Sequence, residues 1–136
     1  MVEVVNRQRR VKVDTTGWAD FAAKALETIG KSGSSATIAF VSDQSIRKLN
    51  QQFRGTDKAT DVLSFPADEP NNLGDIAVSV ETAARQAKEN GLSFDNEIAQ
   101  LILHGLLHLS GYDHETDNGE MNRLELRLRK KLGIQV

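Results

Sequence analysis

All three histidines of the chain lie within one short stretch, at positions 104, 108 and 114. Residues four apart lie on one face of an α-helix, so His104 and His108 are expected to stand one turn apart. Gly111 provides a position at which the helix can end, so that the chain can bring His114 back towards the same point. Three imidazoles at one point would bind zinc and leave its fourth coordination position open, which is typical of catalytic rather than structural zinc. The spacing therefore predicts a metal site at the end of a helix.

The same stretch fits the long zinc-protease pattern H-E-x-x-H-x-x-G-x-x-H at its three histidines and at Gly111. The second position differs, because Gly105 stands where the proteases have the glutamate that serves as general base. The metal ligands are therefore predicted, but the usual base is missing. Water would be activated by the metal alone or with a carboxylate from elsewhere in the chain.

Four carboxylates are candidates for that second role: Asp61, Asp113, Glu115 and Asp117. Each could orient water, or could hold a ligand imidazole through its second nitrogen. Aspartates beside metal motifs more often hold the imidazole, so Asp113 is assigned no catalytic role. Asp75 is expected to be a turn or cap residue, with Gly74 supplying an unusual backbone angle.

Length and composition predict one soluble domain spanning residues 1–136, with 39% hydrophobic and 26% charged residues. The chain has no cysteine, which excludes disulfides and thiol chemistry. No segment is apolar enough for a signal peptide or a membrane span, so we expect a cytoplasmic protein without membrane partners. Aromatic residues make up 5% of the chain, which argues against aromatic stacking as its main way of binding nucleic acid.

The charge is unevenly distributed although the net charge is only -2. Arginine and lysine crowd residues 7–12 and 123–131, where Glu125 is the one acidic residue of the second cluster. Either cluster alone is most simply a solvated face, but such patches can also hold a polyanion.

Strand and helix patterns alternate in the first two thirds of the chain, and helices alone follow, which predicts an α+β fold with helices packed on a mixed, roughly four-stranded sheet. The predicted strands lie in residues 2–13, 36–41, 60–66 and 74–80, the third being stopped by Pro66. The predicted helices cover residues 18–29, with Thr15 or Thr16 as cap, then 43–54, 81–90, 93–110 and 118–132. Ser42 or Asp43 is predicted to cap the second helix, which carries Ile46, Leu49 and Phe53 as its apolar residues and ends at Gly55. Gly91 is predicted to end the third helix and Ser93 to begin the fourth.

Three motifs together resemble the YbeY family of bacterial endoribonucleases: NQQFRGTDKATDVLSFP at residues 50–66, LGDI at 73–76 and HGLLHLSGYDH at 104–114. The resemblance implies a zincin-like fold and a single-strand-specific, zinc-dependent endoribonuclease. It implies action in 3′-end maturation of small-subunit ribosomal RNA and in ribosome quality control, with ribosomal RNA and ribosome-associated proteins as partners. By position, it makes His104, His108 and His114 the ligands of one zinc ion and places Arg54 in the substrate groove.

The chemistry of these residues agrees with that implication. Three neutral imidazoles leave the metal its full positive charge, which suits a phosphodiester. A guanidinium such as that of Arg54 can bind two non-bridging oxygens of a phosphoryl group at once.

Two other functions remain open on the sequence. A zinc hydrolase of another class, such as a peptidase, would explain the histidine register, but Gly105 argues against it. A non-catalytic ribosome-binding factor in which metal stabilises the fold would also need these histidines. The sequence does not predict the oligomeric state.

Overall fold

A mixed sheet of four strands lies at the centre of the computed structural model, which describes residues 1–112 and 118–134. The strands are β1 (Val2–Asn6), β2 (Ser35–Val41), β3 (Val62–Glu69) and β4 (Asn72–Ser79). Their order across the sheet is β1-β2-β4-β3, with β1, β2 and β4 parallel and β3 antiparallel to β4. Five helices accompany them in this part of the chain: α1 (Thr15–Ile29), α2 (Asp43–Arg54), α3 (Val80–Asn90), α4 (Phe94–Leu109) and α5 (Glu120–Leu132). The predicted α+β architecture is confirmed.

Helix boundaries follow the capping residues closely. Ser42 and Ser93 accept hydrogen bonds from backbone N–H groups in the first turns of α2 and α4, as predicted. Gly55 and Gly91 end α2 and α3 in the left-handed conformation, also as predicted. The prediction for α1 was wrong, since Asp14 rather than a threonine caps it and accepts from the Gly17 N–H.

The β3–β4 hairpin differs from the prediction in extent. Strand β3 continues through Pro66 to Glu69 instead of stopping there, because β3 is an edge strand and a missing N–H is tolerated at an edge. Strand β4 already contains Asp75, which is therefore not a turn residue. The unusual backbone of Gly74 is confirmed: its φ is 125°, and a Cβ there would lie 2.2 Å from the Phe65 carbonyl oxygen.

The apolar core has two parts, one on each side of the sheet. The larger part packs α1 and α4 against the sheet and includes the partly buried Trp18 and Tyr112. The smaller part lies beneath α2 and is centred on Ile46 and Leu63. Phe53 was predicted to face inward with Ile46, but its side chain is 59% exposed. No helix within the described residues is long and apolar enough to cross a membrane.

Candidate metal centre and its cleft

Helix α4 presents His104 and His108 side by side on the one face that the core leaves open. Its other faces are buried, with Ile98, Ile102 and Leu106 fully enclosed. The two imidazole rings lie edge to face with centroids 4.7 Å apart, and their Nε2 atoms are 3.2 Å apart. The predicted spacing of these two histidines on one helical face is thus what the structure shows.

The distance between the two Nε2 atoms fits a metal. Two nitrogens bound at about 2.0–2.1 Å to a tetrahedral zinc lie roughly 3.4 Å apart. The observed 3.2 Å separation needs almost no adjustment to match. The same separation is that of a hydrogen bond between the two rings, and it is compatible with a shared divalent cation.

Glu125 on α5 holds His104 from behind. Its Oε1 lies 2.9 Å from Nδ1 of His104, and its Oε2 accepts a 2.9 Å hydrogen bond from Nη2 of Arg129 one turn further along α5. The Glu125 side chain is only 9% exposed and that of Arg129 18%. When Nδ1 of His104 donates its proton to Glu125, the lone pair of Nε2 faces His108 and is available to a metal.

An open cleft of about 550 Å³ runs in front of the two histidines. Arg54, at the last turn of α2, lines this cleft together with His104 and His108. Strand β3 contributes Ser64 and Pro66 to the lining of the cleft. Three of the four predicted site residues are therefore brought to one cavity by two separate helices, α2 and α4.

The cleft contains acidic as well as basic side chains. Asp61, Glu97 and Glu125 line it, and so do Arg54 and Arg129. With neutral histidines, three carboxylates against two guanidiniums leave these described lining residues one net negative charge. A divalent cation would reverse that sign, which matters for any anionic substrate.

Asp61, one candidate for the missing base, is hydrogen-bonded to the backbone at the start of β3. Its Oδ1 accepts a 2.8 Å hydrogen bond from the Val62 N–H. The residue also lines the cleft, so it stands within the space that water and substrate would share.

Sequence reasoning missed the cleft roles of Glu97, Gln100, Glu125 and Arg129. The positions of Glu97 and Gln100 could have been predicted from helical spacing. They precede His104 by seven and four residues and so lie on the same face of the helix. Glu125 and Arg129 are spaced for an ion pair along α5. Their meeting with His104 depends on how α5 packs against α4, which no local pattern encodes.

His114 lies outside the described residues, and so do Asp113, Glu115 and Asp117. Within residues 1–112 and 118–134, no group of three side chains that could hold a metal comes together. The structure therefore describes two of the three predicted ligands, and all three stay predictions as metal ligands.

A second carboxylate cluster, centred on the half-buried Asp43, lies where α2 and α3 begin, apart from the cleft. The carboxylate of Asp43 accepts hydrogen bonds from Ser79, Thr82 and Arg85, the last two at 2.6 and 2.8 Å. Burial raises the pKa of Asp43, but these hydrogen bonds and the charge of Arg85 outweigh it and hold the pKa below its usual value. Asp43 is therefore ionised and joins the two helices.

The chain is similar in sequence and in structure to proteins of one known family. Residues 3–133 match the family model described as Endoribonuclease YbeY. The Nautilia profundicola protein named Endoribonuclease YbeY is 56% identical over 94 residues, 68% of each chain. The protein of the same name from Koribacter versatilis is 44% identical over 131 residues, 96% of this chain and 86% of its own. The solution structure of TM1509 from Thermotoga maritima superposes with a TM-score of 0.68 at 30% identity, over 97% of this chain and 89% of its own.

Proposed function

Because this chain belongs to the endoribonuclease YbeY family, we propose that it is a metal-dependent endoribonuclease that hydrolyses single-stranded RNA in the cleft beside His104 and His108. The observation that carries the proposal is the pair of Nε2 atoms 3.2 Å apart, opening on a cavity that Arg54 also lines. A metal site and a phosphate-binding side chain then share one space of about 550 Å³.

We propose that the metal is one zinc ion held by His104, His108 and His114. An all-imidazole set with a vacant position suits zinc, and the chain contains no cysteine that would favour a closed structural site. When bound, such an ion supplies Lewis-acid polarisation of a phosphoryl oxygen and makes water more acidic. The buried Glu125 orients His104 for this task through its Nδ1–H.

Arg54 is proposed to bind the non-bridging oxygens of the scissile phosphate, where negative charge grows in the transition state. Its position at the end of α2, on the wall of the cleft, gives its guanidinium access to the space in front of the histidines. The net negative charge of the described cleft residues means that binding of a phosphodiester would depend strongly on the metal.

Gly105 supports RNA over peptide as the substrate. A Cβ at position 105 would lie 2.9 Å from Cδ1 of Ile76, because α4 packs closely against β4 there. A larger side chain at position 105 would therefore require Ile76 to shift. A zinc peptidase of this pattern relies on a general base at this position, which Gly105 cannot supply.

We further propose that the substrate is the 3′ region of small-subunit ribosomal RNA, that ribosome-associated proteins deliver it, and that the protein acts in the cytoplasm. These finer assignments rest on family membership. The open form of the cleft, which leaves room for a polymer to pass through, is compatible with them.

The test compares substrates with the zinc-loaded protein. A labelled single-stranded RNA is offered beside the same RNA annealed to its complement, a DNA of the same sequence, and a labelled peptide. Cleavage of the single-stranded RNA alone supports the proposal. Cleavage of the peptide supports the hydrolase of another class, and stoichiometric zinc without cleavage of any substrate supports a structural metal.

A further inference from the structure

Phe53 exposes an aromatic ring beside the cleft. It is the one aromatic residue among the three large apolar side chains that the described residues leave exposed, at 59%. It continues the apolar stripe of Ile46 and Leu49 on α2, but these are covered by the sheet whereas Phe53 stands at the last turn of the helix.

The ring of Phe53 is held in place rather than loose. It packs edge to face against Phe65, with centroids 5.2 Å apart and an angle of 67° between the planes. Phe65 itself is anchored in the smaller core beneath α2. Two aromatic rings in this arrangement gain about 0.5–1.5 kcal/mol beyond the burial of area. Phe53 is therefore a fixed aromatic surface with one part facing solvent.

The position of Phe53 is continuous with the cleft. The next residue in the chain is Arg54, and the residues on either side of Phe65 are Ser64 and Pro66; all three line the cleft. Strand β3 is at the edge of the sheet, with Ser64 and Pro66 on the cleft side and Phe65 on the α2 side. A polymer that leaves the cleft across the edge of β3 would pass from Arg54 to the ring of Phe53.

From this arrangement we infer that Phe53, supported by Phe65, forms a stacking subsite for one unpaired nucleobase of the RNA, next to the nucleotide whose phosphate Arg54 binds. This inference rests on the proposed function, because it takes single-stranded RNA as the ligand of the cleft. An exposed ring accepts any base, since every base has a π-face, and it selects single strands because bases in a duplex already stack on each other. The subsite adds one contact to a binding mode that the metal and Arg54 dominate.

The experiment uses the zinc-loaded protein and a set of short single-stranded RNAs, each with one abasic nucleotide at a different position. Binding is measured by stopped-flow fluorescence anisotropy before cleavage proceeds, and cleavage is then followed in the same samples. In the unaltered protein, removal of one particular base should weaken binding by roughly 5- to 150-fold, the range expected for a stacked base. Phe53→Ala should weaken binding of the intact RNA by the same factor and show no further loss for that abasic RNA.

Three variants make the result specific. Phe53→Trp should keep the position-dependent loss, whereas Phe53→Leu, apolar but without a ring, should lose most of it. Leu126→Ala, which removes an exposed apolar side chain on α5, should leave the whole abasic profile unchanged. Circular dichroism before and after each substitution confirms that the variants are folded.

Equal abasic profiles in the unaltered protein and Phe53→Ala would overturn the subsite, as would a Leu variant that binds as well as the Trp variant. The two proposals fail separately. Position-dependent binding without cleavage supports the subsite and contradicts the endoribonuclease, while cleavage with a flat abasic profile does the reverse.

Discussion

Glu125 and Asp43 are two shielded carboxylates with similar partners and different consequences. Each pairs with an arginine on a neighbouring helical turn or helix, at 2.9 Å for Glu125 and 2.8 Å for Asp43. Asp43 also accepts hydrogen bonds from the hydroxyls of Ser79, the N-cap residue of α3, and Thr82, in the first turn of that helix. The other carboxylate oxygen of Glu125 is hydrogen-bonded to Nδ1 of His104, a residue that lines the cleft.

The two carboxylates differ in the side chains to which they are hydrogen-bonded. Among the described residues, the hydroxyls of Ser79 and Thr82 have hydrogen-bond partners only at the starts of α2 and α3, so the Asp43 cluster holds these two helix starts together and stabilises the protein. Imidazole has two distinct nitrogens, so a carboxylate on one orients the other. A carboxylate therefore stabilises the fold at one place and orients an imidazole towards the cleft at the other, and substitutions can separate the two effects.

The largest effect is expected from His108→Ala. The variant loses one nitrogen of the pair on α4, so it should retain no stoichiometric zinc and cleave single-stranded RNA only at the background rate. Metal analysis and cleavage of a labelled RNA check this. A variant with full zinc and full cleavage would show that the α4 pair is not the metal site.

Arg54→Ala should reduce the rate of RNA cleavage by about 100- to 1,000-fold, the usual cost of removing one donor to a transition-state oxyanion. Arg54→Lys should recover only part of it, because an ammonium group cannot bind two oxygens in the planar, bidentate manner. Zinc content should be unchanged in both variants. Equal rates for Arg54→Lys and the unaltered protein would indicate that only charge matters at this position.

Glu125→Gln should weaken zinc binding by about 10- to 100-fold, as expected for loss of an outer carboxylate behind a ligand histidine. A competing chelator gives the affinity. Nitrogen chemical shifts of His104 in the metal-free protein give a second readout: Nδ1 should carry the proton in the unaltered protein, and that preference should weaken in Glu125→Gln. Unchanged affinity and unchanged shifts would reduce Glu125 to a partner of Arg129.

Asp43→Ala should have the smallest effect on function and act on stability alone. Loss of hydrogen bonds to an ionised group should lower the free energy of unfolding by about 2 kcal/mol at neutral pH, with zinc affinity unaltered. Denaturant unfolding and the same chelator assay measure the two quantities. A fall in zinc affinity equal to that of Glu125→Gln would erase the contrast between the two clusters.

The pH dependence of Asp43 has a definite sign. Its pKa in the folded protein is lower than the ordinary value of 3.8, so the ionised carboxylate stabilises the fold above that value. This contribution is lost as the pH falls below 3.8 and through the folded pKa. The stability difference between the unaltered protein and Asp43→Ala should therefore shrink as acid is added over that range.

Local sequence signals predicted the elements that local chemistry determines. The caps Ser42 and Ser93 and the terminal glycines Gly55 and Gly91 place helix ends within one or two residues of the prediction. The spacing of His104 and His108 likewise translates directly into a shared face of α4. These features depend on contacts within a few residues along the chain.

The errors arose where tertiary position decides. Pro66 does not stop β3, because the strand lies at the edge of the sheet. Phe53 has the spacing of a core residue, yet it lies beyond the part of α2 that the sheet covers. Glu125 gave no sign that it would meet His104, since the two residues are 21 positions apart and on different helices.

The most direct test of the metal-dependent endoribonuclease is a zinc titration of the metal-free protein with a labelled single-stranded RNA present. We expect cleavage to be absent at first, to rise with added zinc until it reaches a plateau at one zinc per chain, and to be reversed by a chelator. Cleavage at full rate by the metal-free protein, or zinc bound at one per chain with no cleavage of single-stranded RNA, would contradict it.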